Sequence, residues 1–325
     1  MHVVLSRLGG ALLLWWLVVT ATFVLVRAAP GDPTALLVPP SASADVVSRM
    51  RTDLGLDAPV AVQYARWTGS MLRGNLGTSF ATGRPVTTQL LEALPVSLAL
   101  GLVSLALSFL IGISIGLLQA VRRGRGGDTT ITIITTALYA APSFWLALLL
   151  IATFTYGAAR WGFPAALRLP AFGLRDPAST AGGLAAATDI VRHAILPVIV
   201  LAAVGAAGIS RYARTMIADV LDGEFVRAAR GRGLGRPRVY GTHVLRVAMP
   251  PLVVLIALTL PGIVAGSVFV ESVFAWPGMG RALVSAIVAR DYPVVMGATI
   301  LYAGLVIAAN LAADAALPAL DPRRR

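Results

Sequence analysis

Six long apolar runs divide this chain: Leu8 to Val26, Leu94 to Val121, Thr129 to Tyr156, Val191 to Ile209, Val247 to Phe274 and Val294 to Leu317. A helix rises about 1.5 Å per residue and the hydrocarbon core of a bilayer is about 30 Å thick, so roughly 17 to 25 apolar residues suffice to cross it. With 57% hydrophobic and only 13% charged residues in 325, the chain is too apolar for one soluble domain and too long for a simple anchor. The expected fold is all-α: a polytopic membrane protein of six transmembrane helices, forming a single transmembrane domain over residues 1–325. The fourth run is the weakest, because Arg192 and His193 stand at its start, and its Gly205 and Gly208 favour close helix packing over lipid exposure.

The first run follows Arg7 and precedes the small pair Ala28-Ala29, as a cleaved signal peptide would. Its apolar stretch exceeds the 7 to 15 residues of a usual signal core, which favours a retained anchor. Orientation follows from arginine. Fifteen arginines (Arg7, the group at Arg122 to Arg125, the eight between Arg211 and Arg246, and Arg323 to Arg325) fall on one side. Six in the short opposite loops fall on the other, so both termini are expected in the cytoplasm. The segment 30–92 then lies outside the membrane. Ser43 starts a short amphipathic helix through Leu54, with Val46, Val47, Met50 and Leu54 on one face; a second, from Pro59 toward Leu72, buries Val62, Trp67 and Met71. The second outer loop, Gly157 to Ile190, reads as irregular or partly helical.

Every one of the 27 basic residues is arginine. A phosphate-binding loop of the GxxxxGK[ST] kind needs its lysine, so the chain carries no standard nucleotide-hydrolysing site. The absence of cysteine excludes thiol catalysis, disulfides and cysteine-ligated metals. His2, His193 and His243 are too scattered for a metal site, and none is assigned. The net charge of +12 is accounted for by topology and lipid headgroups rather than nucleic acid, because the arginines lie mostly between apolar runs.

The most informative stretch is residues 211–246, where eight arginines face Asp219, Asp222 and Glu224. Such a bias marks a cytoplasmic loop. It reads as two helical pieces around Gly233 and Gly235. The first, Asp222 to Arg232, opens with acidic residues where a helix N-terminus favours them and sets Phe225, Ala228, Ala229 and Arg232 along one side. The second begins at Pro237 and carries Val239, Tyr240, His243 and Val244. Two short helices joined by glycine would make a rigid knuckle able to take a push from a partner, with small residues admitting a close approach to its backbone. Arg246 beside it suits a headgroup anchor or a loop contact equally.

Residues Glu224 to Gly233 resemble the EAA loop of permease subunits of bacterial binding-protein-dependent ABC importers, in the form Glu-Phe-Val-Arg-Ala-Ala used by the peptide/nickel class. RAAPGDP at 27–33, LGLDAPVAVQYARW at 54–67, RGNLGTSF at 73–80 and VFVESVFAWPGMGRALVSAIVARDYPVV at 268–295 are similar to that class as well. The resemblance covers most of the chain and points to the first of two paired permeases for oligopeptides or dipeptides, with nickel or glutathione as alternative cargo. It implies the type I ABC importer permease architecture and an EAA loop inserted in a groove of an ATPase subunit. It also implies a heterodimer with a second homologous permease, two ATPase subunits or domains that bind ATP and Mg, and an extracytoplasmic substrate-binding protein. No cofactor and no catalytic residue are expected in this chain itself. Glu224, Ala228, Ala229 and Gly233 map onto the ATPase-coupling loop, with Phe225 and His243 beside them.

A second group surrounds Glu271, at the outer end of the fifth run. A carboxylate there is costly unless it faces water, a cation or a partner. It either lines the pathway exit, receives a peptide N-terminus, or pairs with Arg281 or Arg290. Trp276 suits the interfacial aromatic belt, and Pro277 and Gly278 break the helix, giving an outer gate element. Arg192 and His193 are expected to make headgroup or backbone contacts, and Asn310 and Asp314 to hydrogen-bond between helices. An intramembrane serine protease would want a GxSG nucleophile, but Gly208-Ile209-Ser210-Arg211 ends in arginine; a secondary transporter would show midplane charges and inverted repeats, and neither is evident.

Overall fold

A computed structural model describes residues 2–28, 43–53, 55, 57–180 and 182–320. Ala29 to Pro33 of the RAAPGDP block, Leu54 and Arg323 to Arg325 lie outside the described residues. The elements are α1 (His2–Ala28), α2 (Ala44–Asp53), α3 (Val60–Leu72), α4 (Val86–Val121), α5 (Gly126–Ala140), α6 (Ser143–Ile151), α7 (Gly183–Leu221), α8 (Glu224–Gly231), α9 (Leu245–Gly266), α10 (Val268–Val273), α11 (Met279–Val288) and α12 (Tyr292–Leu320). Among the described residues the extended pairing is a lone bridge between Thr78 and Pro85. An all-helical fold is what lipid demands, since each backbone amide must find its partner within its own segment.

Among the described residues, six helical stretches are long and apolar enough to span a membrane: Leu8–Ala28, Val86–Val121, Ser143–Arg160, Gly183–Leu221, Arg236–Ile256 and Tyr292–Asp314. The number agrees with the apolar runs, but three boundaries need correction. The third run is broken at Ala141 and Pro142, both extended, because proline lacks an N–H and pushes the preceding residue out of the helical region. The fourth is not short: α7 starts at Gly183, ahead of Val191, and continues to Leu221. Its 39 residues extend about 58 Å, well beyond a bilayer core. The fifth begins at Arg236 and breaks at Ser267, not at Phe274.

The chain divides into two compact units, residues 1–97 with 277–308, and residues 98–276 with 309–325. In the first, α1 packs on α3 through aromatic rings. Phe23 meets Tyr64 at 5.2 Å and Trp67 at 5.3 Å between centroids, and the Thr20 and Tyr64 hydroxyls lie 2.6 Å apart. The buried side of α3 is Gln63, Thr68 and Met71, with Trp67 packed against the same core; Met71 and Trp67 are placed as expected, while Val62 is exposed. Val46 of α2 is likewise exposed. Asp291, 2% exposed, ties the start of α12 to the loop after α3. Its carboxylate accepts bonds from the Ser79 hydroxyl and from the Phe80 and Ala81 amides, both amides at 3.1 Å.

In the second unit α4 lies against α7 at glycine. A methyl group on Gly116 would come within 2.6 Å of the Ala213 side chain and 2.8 Å of the Ser210 carbonyl, and one on Gly112 within 2.8 Å of Ile209. Gly205 faces Ser108 and Gly208 faces the Tyr139 ring, as expected of small residues that let helices approach. A bidentate ion pair locks α5 to α7: Arg214 Nε and Nη2 donate to Asp128 at 3.0 and 2.7 Å. The loop before α7 packs through Leu169 and Ala171 against Ile151, Leu196, Val270 and Phe274.

The Arg214 guanidinium beside Asp128 holds its carboxyl below the usual carboxylate range, against the opposing effect of burial. A lowered folded-state value means that the stabilisation is complete above the unfolded value of about 3.9 and is lost as pH falls through the folded one. Asp128→Asn should therefore lower stability in detergent by about 1–3 kcal/mol, discounted for the half-exposed arginine. The gap between variant and wild type should stay constant from pH 7 to 5 and close below about pH 4, read as the unfolding midpoint. Asp291→Ala, which strands two amides, should cost about 2–4 kcal/mol, and Ser79→Ala about 1 kcal/mol, in the same measurement.

Candidate coupling site

The loop after α7 turns within two residues. Asp222 ends the helix and Gly223 starts the next; the Gly223 amide donates to Val220 O at 3.1 Å and Gly223 O accepts from the Val226 amide at 3.1 Å. The Phe225 ring lies across Gly223, so that a methyl group there would meet it at 2.8 Å. Glu224 follows in the first turn, where the helix dipole favours a carboxylate. The helix α8 is pinned from beneath: Val226 and Ala229 are fully buried in a cluster with Ile217 and Ala213 of α7 and with Val239, Val244 and Leu252 of the following span.

Glycine decides how α8 ends. Gly233 has φ +80, and the Gly233 and Leu234 amides donate to Arg230 O at 2.9 Å and Ala229 O at 3.3 Å. This is the paired closure that a left-handed residue after a helix makes. Arg236 and Pro237 then restart the helix, and a wide turn over Val239–Val244 carries it without a break into α9. The expectation of two separate short helices is thus half corrected: α8 is a free-standing piece, whereas the second belongs to the next span.

The outward side of α8 comprises Glu224, Phe225 (41% exposed), Arg227, Ala228 and Arg232, with Gly233 beyond. Ala229, expected on that side, turns inward and forms part of the support. His243 is half-buried in the wide turn and lies off α8. The Arg230 guanidinium stands over the Tyr240 ring, 5.9 Å from its centroid. Arg246 is exposed.

At the other end of the same unit, Glu271 is fully buried, and the Ser267 hydroxyl donates to its Oε1 at 2.7 Å. Trp276 is 3% exposed. It is covered by protein, directly after the turn at Ala275. Ala275, at φ +49, closes α10 with the same paired bonds as Gly233, the Trp276 amide reaching Glu271 O at 2.8 Å. Pro277 and Gly278 belong to the first unit. There Gly278 precedes α11, and the Met279 amide donates to the Ser97 hydroxyl at 2.8 Å. His193 contacts backbone, its Nδ1 lying 2.9 Å from Asp189 O, and Arg192 donates to Arg168 O at 3.1 Å. Sequence reasoning missed the Asp128–Arg214 pair and the Ser79–Asp291 tie. Ser79 and Asp291 both sit inside motif blocks singled out above, which was the available signal.

Comparison with known proteins places these features in one group. Residues 112–325 match the profile described as the binding-protein-dependent transport system inner membrane component, and residues 1–101 match its N-terminal companion. The oligopeptide transport system permease protein AppB of Bacillus subtilis is 37% identical over 303 residues, 93% of this chain and 92% of that one. The di/tripeptide transport system permease protein DppB of Pseudomonas aeruginosa is 35% identical over 334 residues, 98% of this chain and 97% of that one. Among solved structures, a chain of the MetNI methionine ABC transporter in inward-facing conformations aligns with a TM-score of 0.54 at 21% identity, over 71% of this chain and 96% of its own length, a likeness of fold. With six membrane-spanning helices and family matches over nearly its whole length, the chain belongs to the inner membrane components of binding-protein-dependent transport systems, as a multi-pass permease of the bacterial plasma membrane.

Proposed function

We propose that this permease forms half of the translocation pathway of an ATP-driven importer of oligopeptides or dipeptides, and that α8 receives the mechanical stroke. The observation that carries the coupling role is the contrast between the two sides of α8. Val226 and Ala229 are fixed in a core shared with α7 and the following span, while Glu224, Phe225 and Ala228 face outward. A force applied to that outward side passes into two membrane-spanning helices rather than being absorbed by a flexible loop. The peptide cargo is supported by the names of the relatives.

In this reading both termini and residues 222–235 are cytoplasmic, and the helical segment within 30–92 lies outside. A second homologous permease completes the pathway as a heterodimer. Two ATPase subunits or domains bind ATP and Mg and seat α8 in a groove, and a substrate-binding protein delivers cargo to the outer mouth. Closure of the ATPases on nucleotide, which binds the closed pair better, shifts the permeases from inward-open to outward-open. Glu271, Trp276, Pro277 and Gly278 serve the outer end of that movement.

In proteoliposomes of the assembled transporter, Ala228→Tyr and Phe225→Ala should reduce peptide uptake at least tenfold with normal membrane insertion, while ATP hydrolysis persists or the ATPases dissociate. Val226→Ala should instead lower permease stability by about 2 kcal/mol. Wild-type uptake in both surface variants would remove the coupling role.

A further inference from the structure

Between α6 and α7, and contained within the second unit, lies a pocket of about 490 Å³. That volume falls in the range of roughly 300–1,000 Å³ typical of small-ligand sites. Three stretches build it: the wide helical turn Ala152–Gly157, which presents Thr155; the loop 168–177; and the early part of α7, which carries Asp189, Arg192 and His193. Hydrogen bonds fix these walls to one another. The Leu169 amide donates to Phe154 O at 3.0 Å, the Thr155 hydroxyl to Leu169 O at 2.8 Å, and the Asp176 amide to Asp189 Oδ2 at 2.8 Å. Leu169 and Ala171 are in turn anchored in the apolar core beneath. The pocket is thus formed in advance of any occupant.

The charges around it are unequally committed. Asp189 accepts from the Asp176 amide and lies 3.2 Å from Nδ1 of His193, a residue 6% exposed, so its negative charge is engaged. Arg192 is different. Its guanidinium donates to Arg168 O at 3.1 Å, which fixes where it stands, and it has no carboxylate partner among the described residues. Its remaining donors form a fork that fits a carboxylate. Asp176 is exposed, and its Oδ1 accepts the Ala178 amide at 2.9 Å without a cation beside it among the described residues. The pocket therefore presents an unmatched cation and an unmatched anion beside apolar Leu169, Pro170 and Ala171. A polyanion such as phosphate would meet two aspartates as well as Arg192, whereas a small zwitterion finds both of its charges complemented.

We propose that this pocket binds a short peptide by its charged ends, the terminal carboxylate on Arg192 and the terminal ammonium toward Asp176. Those two charges are what every unmodified short peptide carries whatever its side chains, and the apolar lining makes no polar demand on the residues between them. In the orientation proposed above the pocket lies outside the membrane, so it would hold cargo ahead of translocation. The choice of a peptide as the zwitterion rests on the peptide-import reading.

The test is equilibrium dialysis of radiolabelled trialanine against the permease–ATPase complex in nanodiscs of zwitterionic lipid, with the substrate-binding protein left out so that it contributes no binding. Trialanine should bind saturably, and trialanine amide, which lacks the carboxylate, about tenfold more weakly. Arg192→Gln should weaken trialanine about tenfold yet leave the amide unchanged, which a misfolded pocket would not do. Arg160→Gln, an exposed site in the same loop that does not border the pocket, should bind as wild type. Equal affinity for trialanine and its amide, an Arg192→Gln loss that is the same for both, or displacement by inorganic phosphate at the concentration of trialanine would overturn the assignment. Trialanine uptake into proteoliposomes supplied with the binding protein separates the pocket from the import reading. Uptake without saturable binding removes the pocket and leaves import standing; binding without uptake keeps the pocket and removes the import role.

Discussion

The close approach of α4 to α7 governs the second compact unit of this permease. Helices in lipid gain nothing from hiding apolar surface, so their association relies on packing contacts that only small residues allow. At Gly112 and Gly116 the backbones come so near that any side chain would strike Ile209, Ala213 or the Ser210 carbonyl. α7 is held along this line and again by Arg214 on Asp128, and it forms one continuous rod of 39 residues. Its length exceeds a bilayer core, and α8 follows directly at its end.

The same unit reaches the opposite end of the rod. Leu196 and Val200 of α7 share a core with Val270 and Phe274 of α10 and with Leu169 and Ala171 of the loop before α7, and Phe274 O accepts a bond from the Gly173 amide at 2.9 Å. The helical course is interrupted at Pro142, Ser267 and Gly233.

Several residues show where linear pattern reading reached its limit. The apolar periodicity of 222–232 identified α8 but put Ala229 on the outward side; only the arrival of Val239 and Val244 beneath it shows which arc is covered. On α3 the expected buried Val62 is exposed, and Gln63 is covered instead, its side-chain amide bonding to Ala58 O at 2.8 Å. In both cases the pattern specifies a stripe, and the neighbouring element selects which residues at its margin are covered. Tryptophan's preference for interfacial depth says nothing of what covers Trp276, and the paired closure at Ala275 leaves it buried in protein. The Ser79–Asp291 tie was out of reach for another reason: its partners are 212 positions apart, and nothing local to either predicts the other.

Sequence alone determined the all-helical class, the six crossings, the helix at 224–231 and the family, since each depends on local properties. An apolar run long enough to cross lipid must close its own backbone bonds, and glycine, proline and charge mark where such runs stop. Tertiary structure alone decided which arc of α8 faces outward, where α7 begins and ends, and which carboxylates are paired. Those outcomes arise from contacts between segments remote in the chain, where packing shape outweighs residue type.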